Sequence, residues 1–113
     1  MATRSERLPE LKKGAASYHR ASSVVATAFT QLHETALADG ALNRRVKELM
    51  AVAVAVVTHC DGCVHWHLQA AADAGATREM AIETLDVAVL MGGGPSMLTA
   101  GETMELVDEV FPT

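Results

Sequence analysis

Apolar residues recur at helical intervals along most of this chain. Val25, Ala28, Phe29, Leu32 and Ala36 fall three and four apart, predicting a helix over 15–39 that Gly40 stops. Asn43 is suited to cap a second helix running to about Thr58. The nine-residue apolar run at 49–57 has the propensity of a buried strand as well. No partner strand is visible elsewhere, so it is assigned to that helix. A third helix is expected from about Cys60 to Asp73, closed by Ala74-Gly75. Thr77 then caps a fourth over 78–91, with Glu79 and Glu83 in or near the first turn, where the helix dipole favours acids. Gly92-Gly93-Gly94 breaks the chain, and Pro95 suits the first position of a last helix ending at Val110. Residues 1–14, dense in charge and ended by Gly14, read as a partly ordered segment ahead of a domain spanning 15–113. The pattern predicts an all-α fold, a compact bundle of about five to six helices in a single unit.

Composition narrows this further. A chain of 113 residues is one domain as a prior, with a core of modest size. Half of it is hydrophobic and 20% charged, which argues against intrinsic disorder. The apolar residues are mostly small: 20 Ala and 12 Val stand against the four aromatics Tyr18, Phe29, Trp66 and Phe111. Such side chains suit helices packed closely, and they suggest that neighbouring subunits complete the burial. The net charge of −5 argues against nucleic acid as a partner. That charge is unevenly placed, at +4 over 1–47 and −9 over 48–113, so the halves could attract within or between subunits. The N-terminus lacks the apolar core of a secretory signal, and the run at 49–57 is about half a membrane span. A cytoplasmic location away from any membrane is expected, with thiols reduced at rest.

Candidate chemistry is concentrated at Glu48 and in the stretch His59-Cys60-Asp61-Gly62-Cys63-Val64-His65-Trp66-His67. These are the only two cysteines, too few for a disulfide framework, so they read as redox chemistry or half a metal site. In the first turn of a helix, free N–H groups and the dipole favour a thiolate, and a cysteine pKa falls from about 8.5 to roughly 3.5–7.5. A spacing of three allows Cys60 and Cys63 to close a small ring. His67, four residues after Cys63, shares its face one turn on, whereas His65 lies roughly 200° around and points away. Glu48 lies ten residues before the end of its helix, about 15 Å, and His67 seven residues into the next, about 10 Å. A tight antiparallel hairpin brings them roughly level. A carboxylate there orients the imidazole as a base toward the thiol.

Blander readings stand beside these. The cysteines could be inert core residues, or bind zinc with His67 and either Glu48 or His59, although no second Cys/His cluster completes a structural site. His19, His33, His59 and His65 read as solvated surface groups, and Trp66 as core or interface filler. Met91, Met97 and Met104 read as gap-filling core, and Asp61 as a helix cap.

The pattern Glu48-x11-Cys60-x2-Cys63-x3-His67 resembles the active-site signature of alkylhydroperoxidase D-like proteins in the carboxymuconolactone decarboxylase superfamily. The likeness extends from about Phe29 through Ala74–Thr77, the Gly92–Pro95 break and the last helix. Gly62 stands where the best-studied members carry histidine, and those members are longer, with two related helical halves. The resemblance implies a helical fold, homotrimers or hexamers, and hydroperoxide reduction. By the family's mechanism, Cys63 becomes the sulfenic acid, Cys60 is the proton donor and resolving thiol, and Glu48 and His67 form the proton relay. The implied partners are a small hydroperoxide and a dithiol reductant, or a lipoylated or thioredoxin-like adaptor protein. No cofactor or resident metal is expected. A carboxymuconolactone decarboxylase-like enzyme and a non-enzymatic redox or zinc sensor remain the alternatives.

Overall fold

The computed structural model describes residues 4–112, and within them the chain is helical, with six helices and no strand among the described residues. In chain order they are α1 (Arg4–Ala21), α2 (Ser23–Leu37), α3 (Arg44–Val57), α4 (Asp61–Asp73), α5 (Arg78–Gly92) and α6 (Gly94–Val110). They fall into two units, one ending at Asp39 and the other beginning at Gly40.

The first unit departs from the sequence expectation at both ends. The charged segment is helical from Arg4, and α1 passes through Gly14 without a break. Its Arg, Glu, Leu and Lys residues are good helix formers, and one glycine costs only about 1 kcal/mol against them. The helix expected over 15–39 is instead divided at Ser22, whose φ of −133° and ψ of 59° leave the helical region. Helical hydrogen bonds reach Ser22 from both sides, its N–H donating to the Tyr18 carbonyl (2.8 Å) and its carbonyl accepting from Ala26 N–H (3.0 Å). Leu37 is the one buried residue of α2, while Val24, Val25, Phe29 and Leu32 stay exposed.

The second unit follows the sequence pattern closely. Asn43 caps α3 by accepting from Val46 N–H (2.9 Å), and Thr77 caps α5 by accepting from Met80 N–H (3.2 Å). The apolar run at 49–57 is helical: α3 packs against α4, α5 and α6 and buries Val52, Ala55 and Val56, while Met50 and Val54 stay exposed. Its Val52 and Val56 meet Val64 and Leu68 of α4, Leu85 of α5, and Leu106 and Val107 of α6 in one core, with Ala55, Ala81, Ala88 and Ala100 allowing close approach. Met104 packs against this core as expected, but Met91 and Met97 are exposed and fill no gap. Trp66 is also exposed. Gly92, the last residue of α5, lies so close to α6 that a Cβ there would collide with Ser96. Gly93 turns the chain with φ of 71°, and α6 begins with Pro95 in its first turn. No described helix is long and apolar enough to cross a membrane.

Candidate active site

The helical hairpin α3–α4 brings together the two residues that the sequence places level with each other. Glu48 is fully buried on α3, and its Oε1 lies 2.8 Å from His67 Nδ1 on α4. The ionised carboxylate can only accept, so the imidazole donates through Nδ1–H, and in the neutral ring the basic lone pair is on Nε2. A carboxylate removed from water is costly unless paired, so this contact fixes both side chains. The second carboxylate oxygen, Oε2, has no hydrogen-bond partner. Arg44, one turn earlier on α3, brings its Nε within 4.0 Å of it. Arg44 was not singled out in the sequence, although its spacing of four from Glu48 is the helical ion-pair spacing.

Cys60 and Cys63 are joined as a disulfide, their Cα atoms 5.3 Å apart. The helix begins at Asp61, and Cys60 is its N-cap residue, with Sγ accepting from Cys63 N–H at 3.3 Å. The expected capping by Asp61 is thereby corrected: Asp61 is the acid in the first turn, and the sulfur caps. Both sulfurs therefore sit among the unpaired N–H groups of a helix start, where negative charge is favoured. Cys63 is exposed and Cys60 half-buried. His67, partly exposed, follows Cys63 by one turn of α4. Among the described residues no group of three or more His, Cys, Asp and Glu side chains is placed to hold a metal ion.

His59 lies at the surface as expected, but its ring is engaged. Its backbone lies in the left-handed region with φ of 57°, and its Nδ1 is 2.9 Å from Thr99 Oγ1 on α6. Thr99 is 40 residues away in sequence, and nothing in the sequence signals the pairing.

A family model described as the carboxymuconolactone decarboxylase family matches residues 24–105. Over 103 residues the chain is 36% identical to uncharacterized protein 4 in the cox locus of Paracoccus denitrificans, covering 91% of this chain and 93% of that protein. An uncharacterized protein of Cupriavidus necator is 37% identical over 102 residues, covering 90% of each. Among solved structures, an apo carboxymuconolactone decarboxylase family protein from Legionella pneumophila superposes with a TM-score of 0.88 at 38% identity, covering 95% of this chain and 96% of that one. A family member from Thermotoga maritima has a TM-score of 0.80 over 92% of this chain and 89% of its own; at 24% identity it speaks to the fold alone. Fold and sequence together define the class: this chain belongs to the carboxymuconolactone decarboxylase family, which includes enzymes.

Proposed function

We propose that the protein is a thiol-dependent peroxidase that reduces hydroperoxides through Cys63 and Cys60, with Glu48 and His67 as its proton relay. The observation that carries this reading is the hydrogen bond between His67 and the buried Glu48, one helical turn beyond a cysteine pair at a helix start. His67 takes the Cys63 thiol proton. The thiolate attacks a peroxide oxygen, the O–O bond breaks, and sulfur retains the hydroxyl as a sulfenic acid. The leaving alkoxide takes the proton from His67 and departs as an alcohol. Cys60 then attacks the Cys63 sulfur; the S–S bond forms and water leaves. A dithiol, free or on a lipoylated or thioredoxin-like partner, reduces the disulfide and is itself oxidised to one. The exposure of Cys63 suits the residue that must meet peroxide, and the shielding of Cys60 suits the resolving one.

The test is consumption of cumene hydroperoxide by the reduced protein in the presence of dihydrolipoamide. Turnover above the dithiol alone, lost in Cys63→Ser, supports the reading. A rate equal to the dithiol alone, with both thiols still free afterwards, overturns it.

A further inference from the structure

The turn between α3 and α4 delivers Cys60 to the head of its helix, and its construction is unusual at one residue. Cys60 N–H bonds to the Ala55 carbonyl (3.0 Å) and His59 N–H to the Val56 carbonyl (3.2 Å). This paired closure of a helix end requires the residue between helix and exit to be left-handed, and glycine ordinarily takes that place. The same closure ends α4, with Ala76 N–H on the Ala71 carbonyl and Gly75 N–H on the Ala72 carbonyl. There the left-handed residue is Gly75, with φ of 99°. At the end of α3 it is His59, which is alone among the described non-glycine residues in having a positive φ.

The side chain that glycine would lack is engaged. His59 Nδ1 meets Thr99 Oγ1 at 2.9 Å, and the same hydroxyl lies 3.2 Å from the Pro95 carbonyl. A hydroxyl has one proton. The Pro95 carbonyl can only accept, so both contacts are hydrogen bonds when Thr99 donates to Pro95 and accepts from a His59 ring protonated on Nδ1. Thr99 is itself nearly buried, and its own carbonyl accepts from Thr103 Oγ1 at 2.8 Å. The anchor is therefore a rigid part of α6, and it ties down the residue directly before Cys60.

We propose that His59 is a positioning residue for the redox pair: through Thr99 it clamps the left-handed turn to α6 and holds Cys60 within bonding reach of Cys63 in the dithiol as well as the disulfide form. The inference rests on the reading of Cys60 and Cys63 as a redox couple. Releasing the clamp lets the reduced Cys60 move away from Cys63, which lowers the effective concentration of one thiol toward the other. Disulfide closure then becomes less favourable, and the couple more oxidising.

The thiol–disulfide equilibrium of the full chain against glutathione tests this without any peroxide. His59→Gly suits the left-handed backbone, so the fold is kept or strengthened while the clamp is removed. Thr99→Val removes the same bond from the other side, and Thr99→Ser retains the hydroxyl as the conservative rescue. Expected is a shift of several-fold to about tenfold toward the dithiol in His59→Gly and Thr99→Val, up to about 30 mV. The double variant should shift no further, and Thr99→Ser should stay near the parent. The proposal is overturned if His59→Gly and Thr99→Val, both folded by circular dichroism, leave the equilibrium unchanged, or if their effects simply add. Peroxide consumption by the parent is read separately. An inactive parent with a shifted equilibrium in the variants removes the peroxidase reading and leaves the clamp, whereas an active parent with no shift does the reverse.

Discussion

At the level of single residues, Cys63, Cys60, His67 and Glu48 have distinct proposed tasks, and substitutions separate them. Cys60→Ser should consume one equivalent of peroxide and stop at a sulfenic acid that dimedone traps, because the resolving thiol is gone. Cys63→Ser should label far more slowly, since Val64 stands four residues after Cys60 where a base would be needed. Faster labelling of Cys63→Ser would reverse the assignment. Glu48→Gln should keep the fold and slow the first step by about 10²–10⁴, the scale of a working acid–base group, as a carboxamide stabilises an imidazolium poorly. His65→Ala should change the rate little. In the reduced protein, the thiolate absorbance of Cys63 should titrate below the ordinary value of about 8.5, because the helix start and the His67 imidazole both favour the anion. The pairing of Glu48 with His67 was legible from helix rise and hairpin arithmetic alone, since both residues lie on regular elements joined by a short turn. His59 with Thr99 was not, because that contact depends on how α6 is seated, which no local pattern encodes.

At the scale of elements, the sequence was most legible where punctuation and periodicity agree. Asn43 and Thr77 each cap the helix they precede, and the Gly92–Pro95 break separates α5 from α6. It was least legible over 4–39: the charged stretch up to Gly14 carries no apolar period that marks a helix, and Ser22 interrupts the chain without a glycine or proline. The seat of α5 on α6 makes its own prediction. A Cβ on Gly92 would lie 2.7 Å from Ser96 Cβ and nearer still to its Oγ. Gly92→Ala should therefore destabilise the protein by about 1–3 kcal/mol through overpacking. Urea denaturation is the measurement, and an unchanged midpoint would show that the two helices part freely.

For the whole molecule, the apolar residues exceed what one chain covers. Val24, Val25, Phe29 and Leu32 of α2 remain exposed, at 83%, 57%, 64% and 62%, and single scattered residues would not share one helix in this way. The scarcity of large rings in the composition already pointed to burial shared between subunits, while the partners of that face lie beyond what one sequence can specify. We propose that this face is covered by further copies of the chain, as a trimer or hexamer. Light scattering at micromolar concentration should give such a mass, and Phe29→Glu should reduce it. A stable monomer in the parent would remove the proposal. Within the acidic half, Arg78, its one Lys or Arg, pairs with Asp108 at 2.7 Å and so joins α5 to α6.

Cys60 and Cys63 are proposed to turn over as a peroxide-reducing pair driven by the Glu48–His67 relay. Mass spectrometry of the fully reduced protein after one equivalent of cumene hydroperoxide tests it most directly. The peptide holding both cysteines should lose two hydrogens as the peroxide disappears, and Glu48→Gln and His67→Ala should both slow this loss. Intact thiols on that peptide in the parent protein, with the peroxide unconsumed, would contradict it.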